Sequence, residues 1–314
     1  MILSIIICTH NRSFFLNKVL ADLIKFSQFE NHYEIIIIDN NSEDTTKELA
    51  KEFIASQSNI RYFFEPNIGL SHSRNRGWQE ALGDYVAYID DDCRVPPDWL
   101  EKALQIIEEY SPIAFGGPYF PLYLSQKPKW YKDEYGTFMK GDFPKQTITV
   151  EKIYLCGGNF IVNRNVFKEI GGFNSKLGMN GPSLGYSEEN ELQDRIRFHY
   201  PDGLIYFDPN FFVKHYVRPE KMRILWRLEQ QFNLGSSEAI IKSKSLGEIS
   251  RFQFLIEFIL IFLKMVKSII KGLLYRNRNK YPYFQNWLYE DFSNKFFLTG
   301  YYIQRYKFIT NNVD

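Results

Sequence analysis

The sequence predicts an α/β protein: a mostly parallel, doubly wound sheet flanked by helices, followed by a helical appendage. Three observations carry this. Strand-like and helix-like stretches alternate through the first 110 residues, the pattern of crossover units. The strand candidates are continuous β-branched runs, as strands covered on both faces read. Polar clusters stand directly after those runs, at Thr9–Arg12, Asp39–Asn41 and Asp90–Asp92. Ligands of open α/β sheets bind outside the carboxyl ends of the strands, so the three clusters should converge on one crevice.

The elements follow in order. Residues 2–8 are the first apolar run. Residues 13–28 space Phe14, Leu16, Val19, Leu20, Leu23 and Ile24 as a helix does. Residues 34–39 are a second strand, four isoleucines closed by Asp39. Ser42 is expected to cap a helix reaching about residue 55, with Glu43 and Asp44 in its first turn. Residues 60–64 form a third strand. Residues 70–82 form a helix closed by Gly83. Residues 84–89 form a fourth strand ending in Asp90-Asp91-Asp92, and residues 97–110 a helix with proline near its start. Beyond residue 113 the pattern loosens. A Pro/Tyr/Trp-rich stretch covers 121–144, a strand interrupted by Gly157-Gly158 covers 152–162, and a short helix covers 164–171. A loop at 178–185, an acid-opened helix at 187–200 and strands at 204–207 and 211–217 come next, and from Pro219 the chain reads as helices.

Composition excludes several classes. The 314 residues are 45% hydrophobic and 24% charged, which is a globular balance and not that of a disordered chain, a collagen or a coiled-coil rod. A net charge of +1 offers no overall basic field for nucleic acid. Cys8, Cys93 and Cys156 stand far apart without ligand spacing, against a zinc finger or disulfide scaffold and in keeping with a reducing compartment. The first apolar run lacks a positive leader and a cleavage site. A cytoplasmic protein is expected.

Certain groups carry chemistry. Three carboxylates at the end of a buried strand repel one another; they are either a solvated turn or helix-capping acids, or the site of a cation, for which Mg²⁺ or Mn²⁺ completed by phosphate oxygens fits. Asp39 at another strand end can accept from a base N–H or a ribose hydroxyl. Thr9, Asn11 and Arg12 supply hydroxyl, amide and guanidinium groups after the first strand. Arg74, at the start of a helix, either has its fork on a phosphate, whose geometry it matches, or is a surface salt-bridge partner. Glu188, Glu189 and Glu191 open a helix, where acids complement the dipole or one of them acts as a general base. His215, in a late strand, is either a hydrogen-bonded structural residue or the group that completes a metal site.

Taken in order, SIIICTHNR, EIIIIDNNSEDTT, NIGLSHSRNRG, GDYVAYIDDD, CGGNFIVNRNVFKEIGGFN, SEENELQDRIR and KHYVRPEKM resemble the family 2 inverting glycosyltransferases over residues 1–235. The resemblance implies a GT-A-type, Rossmann-like domain, with a nucleotide-sugar-binding half at 1–112, an acceptor-binding half at 113–235, and a helical region at 236–314. It implies transfer, with inversion, from a nucleotide-diphosphate sugar, uridine sugars favoured, to a hydroxyl of a glycan or lipid-linked glycan in cell-surface polysaccharide or glycoconjugate synthesis. By resemblance Thr9 and Asp39 hold the nucleoside with Asn11 and Arg12 nearby, and Arg74 helps bind the nucleotide. Asp91 approaches the ribose, Asp92 is the direct metal ligand, and Asp90 supports it. Asn159 shapes the sugar and acceptor pocket, Glu189 is the base, and His215 lies near the metal and diphosphate. The family commonly shows Glu-Asp where this chain has Glu188-Glu189, which leaves Glu188 and Glu191 open as alternatives for the base and Glu188 as a pocket residue. Trp130, Tyr131, Tyr135 and Phe138 fall where the family recognises acceptors; they are either a stacking platform for sugars or a hydrophobic cluster. A sugar nucleotidyltransferase would carry a Gly-rich loop with lysine where this chain has Thr9-His10-Asn11-Arg12. A non-catalytic nucleotide- or glycan-binding module would be expected to lose the triplet or the base, and both are present.

Residues 252–280 stand apart. At helical spacing Gln253, Glu257, Lys264, Lys267, Ser268 and Lys271 make one polar stripe and the rest of the circumference is apolar. Residues 264–280 hold six Lys/Arg and no acid. No apolar run is long enough to span a bilayer. The pattern fits a helix on an anionic membrane surface, here the inner face of the cell membrane. Packing into the domain and a dimer interface are the alternatives.

Overall fold

The computed structural model describes residues 1–138, 146–147, 154–180, 185–243 and 250–311. Parts of three expected segments, 121–144, 152–162 and 178–185, lie outside the described residues. The chain divides into two compact units. The first comprises Met1–Leu122, Gly136–Ser175 and Glu188–Tyr216; the second comprises Tyr123–Tyr135, Lys176–Ser187 and Val217–Asp314.

The first unit is built on β1 (Leu3–Thr9), α1 (Ser13–Leu23), β2 (Tyr33–Asp39), α2 (Thr46–Ser56), β3 (Ile60–Phe64), α3 (Leu70–Glu80), β4 (Tyr85–Ile89), β5 (Cys93–Arg94), α4 (Trp99–Tyr110), β6 (Ala114–Gly116), β7 (Tyr119–Tyr123), β8 (Gln146–Thr147), β9 (Asn159–Asn163), α5 (Arg164–Ile170), α6 (Glu188–His199), β10 (Ile205–Phe207) and β11 (Val213–Val217). Eight strands form one sheet in the order β3-β2-β1-β4-β9-β6-β10-β8. The strands β3, β2, β1 and β4 run parallel, while β9 runs antiparallel between β4 and β6. A second sheet has the order β5-β11-β7.

The continuous apolar runs are explained by burial on both faces. Side chains alternate along a strand, so Leu3, Ile5 and Ile7 of β1 join Ile35 and Ile37 of β2 in one core, with Leu16, Leu20, Trp99 and Ala103 from the helices. Ile6, Ile36 and Ile38 join the other, with Val166, Phe167, Leu192 and Ile196. Gly77 seats α3 on the sheet, because a Cβ there would come within 2.6 Å of Ile6.

Four boundaries differ from expectation. Helix α2 begins four residues after Ser42, whose backbone N–H instead donates to Asp39 at 2.9 Å. Gly83 does not close α3; its N–H donates to Ser4 Oγ at 2.9 Å, and a Cβ would strike the Ser4 backbone. The helix expected from residue 97 starts at Trp99. The expected division at residue 235 falls inside α7 (Ile224–Lys242).

The second unit is helical, with α7, α8 (Arg251–Tyr275), α9 (Phe284–Trp287) and α10 (Asn294–Asn311). Trp130, Tyr131 and Tyr135 are buried there with Val217 and Met222. The Trp130 carbonyl accepts from Asn286 at 2.6 Å, and Tyr135 bonds Glu290. The aromatic run is thus a packed cluster, and Trp130 does not present a free ring face for an acceptor sugar. Phe138 belongs to the first unit, where its ring lies 5.7 Å from that of Tyr119.

Helix α8 packs along a narrow line of Ile261, Ser268 and Gly272, and a Cβ on Gly272 would come within 2.5 Å of the Trp287 ring. Of the expected polar stripe, Gln253, Lys264, Lys267 and Lys271 are exposed, and Glu257 and Ser268 are turned inward. Ser268 is buried, and Glu257 accepts from the Tyr302 hydroxyl. Among the described residues no helix is long and apolar enough to cross a membrane.

Candidate active site

The parallel register sets Thr9 of β1 beside Asp39 of β2, and β4 ends just before the acidic triplet. The chain turns at once, with Cys93 N–H donating to the Asp90 carbonyl at 3.0 Å. Strand β5 then pairs antiparallel with β11, His215 opposite Cys93. That register carries the imidazole back to the triplet, where His215 Nε2 lies 3.0 Å from Asp92 Oδ1. The ring stacks on Tyr119 with centroids 5.0 Å apart.

Asp90, Asp92 and His215 offer ligand atoms that all lie within 4.8 Å of one another. Asp90 is thus a member of the donor group, a correction to its expected supporting role. Asp91 turns the other way. Its carboxylate accepts from Thr9 Oγ1 at 2.8 Å and from Arg12 Nη1 at 3.0 Å. Arg12 also approaches Asp92 at 3.7 Å. Burial, assisted by the Asp92 charge, pushes the Asp91 carboxyl up to about 6 against the pull of Arg12.

Asp39 is buried and already engaged. One oxygen accepts from Ser42 N–H and the other from Tyr62 Oη at 2.8 Å. Asn11, at φ 53°, accepts from Glu43 N–H at 2.7 Å and donates its own N–H to Ser42 Oγ, tying together the loops after β1 and β2.

Arg74 is a correction. It is buried, and its guanidinium meets Glu188 at 2.7 Å, the Gly157 carbonyl at 3.3 Å and Asp90 at 3.5 Å. A fork committed this way positions carboxylates and is not displayed to a phosphate. It links the metal-compatible group to the start of α6.

The three glutamates of α6 separate cleanly. Glu191 is held by Arg195 at 2.8 Å, and Arg195 also binds the carbonyls of Ile170 and Gly172. Glu188 is buried against Arg74; burial and the neighbouring Glu189 push its carboxyl up to about 8. Glu189 is half-buried, its carboxyl carbon 3.3 Å from where a Gly157 Cβ would be.

Two expectations on the 156–159 stretch change. Asn159 is fully buried, donating to the Phe211 carbonyl at 2.7 Å and accepting from Trp99 Nε1 at 2.9 Å. It ties β9 to neighbouring segments and does not line a pocket. The glycines before it are the site residues that composition reasoning passed over. A Cβ on Gly158 would sit 2.6 Å from Asp90 Oδ2, and one on Gly157 3.0 Å from Arg74 Nη2. Their signal was the Gly-Gly pair inside a strand, which marks close approach of another group. Tyr119, the floor under His215, had no signal beyond its place in an aromatic-rich chain.

With this geometry in place, the comparisons with known proteins decide the family. Residues 4–171 match the family model described as Glycosyl transferase family 2. The chain belongs to that family. Its enzyme class is glycosyltransferase, and its fold is of the GT-A type. Among curated relatives, a glucosyl-dolichyl phosphate glucuronosyltransferase of Haloferax volcanii is 25% identical over 243 residues, 76% of each chain. Several other curated glycosyltransferases match only 31% to 37% of this chain and 17% to 34% of their own length. Among solved structures, the mannosyltransferase PcManGT from Pyrobaculum calidifontis, in complex with GDP-Man and Mn²⁺, aligns with TM-score 0.65 at 14% identity, over 97% of this chain and 86% of that one. S. aureus TarS 1-349 with UDP-GlcNAc aligns with TM-score 0.56 at 14% identity, over 99% and 92%. At such identities these two structures speak for the fold of the family 2 domain.

Proposed function

We propose that this family 2 glycosyltransferase moves a sugar from a nucleotide-diphosphate sugar to a hydroxyl acceptor, with inversion at the anomeric carbon. The observation that carries this reading is the Asp90–Asp92–His215 group at the strand ends, joined through Arg74 to the Glu188–Glu189 pair. Metal donors and a proton acceptor are what direct displacement of a diphosphate requires.

The residues present fit a divalent cation. Two carboxylates and one imidazole converge, and the imidazole favours Mn²⁺ over Mg²⁺, which prefers oxygen. Asp90, Asp92 and His215 would hold it; when bound, it offsets charge on the leaving diphosphate. Arg12, partly exposed at the edge of the triplet, adds a cation for phosphate oxygens. Thr9 and Asp91 lock that arginine in place. Asp39 orients the nucleoside from β2. Glu189 takes the proton of the attacking hydroxyl, and Glu188, bonded to Arg74, stands beside it at the start of α6.

Uridine sugars are the first donors to test, with GDP-mannose second. A glycan or lipid-linked glycan acceptor, in surface polysaccharide or glycoconjugate synthesis, agrees with the lipid-linked substrate in the name of the Haloferax relative.

The test is a donor panel with Mn²⁺ or Mg²⁺, scored by release of nucleoside diphosphate. One donor should be turned over, and chelation should stop turnover until metal returns. Glu189→Gln should keep donor binding by calorimetry and lose about 100-fold or more in kcat. NMR of the product should show the anomeric configuration opposite to the donor's. Retention would defeat the inverting reading, and silence from every donor with no nucleotide binding would defeat the donor assignment.

A further inference from the structure

Helix α8 shows an arrangement that a protein in water does not hold without a partner. Fourteen of its 25 residues are exposed large apolar side chains, and contiguous exposed apolar surface on this scale marks an interaction site. Leu255, Ile259, Phe262, Leu263, Ile270 and Leu273 lie on an arc that, at 100° per residue, spans about 200° with its neighbours. The arc is outward because the opposite line, Ile261–Ser268–Gly272, is fixed against Trp287 and its surroundings. Exposed Lys264, Lys267 and Lys271 border it on one flank, and Arg276, Arg278 and Lys280 follow.

We propose that α8 lies in the plane of an anionic membrane surface, its apolar arc immersed and its lysines at headgroup level. The helix is about 37 Å long at 1.5 Å per residue. Its charge selects the occupant. Residues 264–280 carry six cations and no acid, which suits an anionic lipid surface. A second copy would meet this basic segment with its own, or with an N-terminal half whose one acid, Glu257, is turned to Tyr302. An arc wider than half the circumference also exceeds the stripe that one packed helix covers.

The full chain is tested by co-sedimentation with vesicles of phosphatidylcholine alone and of phosphatidylcholine mixed with phosphatidylglycerol, without donor, so the outcome is independent of the catalytic reading. The expected result is binding to the mixed vesicles and at least about 10-fold weaker binding to the neutral ones. Lys264→Gln/Lys267→Gln/Lys271→Gln should weaken binding on the order of 100-fold, and salt should do likewise. Leu263→Asp/Ile270→Asp should abolish it; both positions are exposed, and an unchanged melting curve will show the fold intact. Absence of binding to either vesicle, or equal binding by the wild type and the triple lysine variant, overturns the proposal. So does a lipid-free dimer seen by light scattering that Leu263→Asp/Ile270→Asp dissolves, because a second copy then covers the arc.

Discussion

The strand ends of the first unit and helix α8 of the second treat solvent in opposite ways. At the strand ends Asp39, Asp91 and Asp92, and beside them Arg74 of α3 and Glu188 of α6, are charged types buried in the interior, and each has partners. On α8, apolar side chains face outward with no cover among the described residues. A buried charge is costly unless paired, so the first region is an assembled site whose geometry is set by the fold. An exposed apolar arc costs the native state favourable burial, so the second is complementary to something outside the chain. One region turns charged groups inward onto one another, the other turns apolar side chains outward.

That contrast can be broken or sharpened by experiment. Asp92→Ala removes the carboxylate that His215 faces, and turnover should fall about 1,000-fold or more in the diphosphate-release assay. Near-normal turnover would show that the buried cluster is not catalytic. Gly158→Ala puts a methyl 2.6 Å from Asp90 Oδ2 and displaces that carboxylate without changing any charge. Apparent Mn²⁺ affinity should drop about 10- to 100-fold, read from the metal dependence of rate.

A pH test addresses the buried pair. Glu188 has its carboxyl raised to about 8 in the folded chain, whereas an unfolded chain ionises near the ordinary glutamate value of about 4.3. The folded state holds the extra proton, so this residue's stabilisation is complete below about pH 4 and is lost as pH rises toward 8. Urea unfolding across that window should show a smaller loss of stability with pH for Glu188→Gln than for wild type. The smallest effect belongs to α8. Leu263→Asp should leave unfolding free energy within about 0.5 kcal/mol, as for other surface changes, although it is a leucine lost to a charge. A cost of about 2–5 kcal/mol, the core range for leucine truncation, would show that the arc is covered.

Much of the site was legible because chemistry followed a readable frame. Continuous isoleucine runs located β1 and β2, with Thr9 and Asp39 at their ends, and the triplet followed β4 as expected. Residues linked across large sequence separations were harder to read. His215 meets Asp92 only through the β5–β11 register. Asn159, in the right motif, went to the core because β9 lies between β4 and β6 and its amide bridges Trp99 and Phe211.

By itself the sequence determined the alternation of elements, the family, the acidic triplet at a strand end and the charge asymmetry of the C-terminal helices. These are properties of local pattern, and periodicity encodes them directly. Only tertiary structure decided that Asp90 joins Asp92 and His215 while Asp91 turns to Thr9 and Arg12. It likewise decided that Glu188 is the buried partner of Arg74, that Trp130 is core, and that α8 shows its apolar side outward. Each choice depends on what packs against a residue from a distant segment, and a helical or strand period names a face without saying which way that face will point.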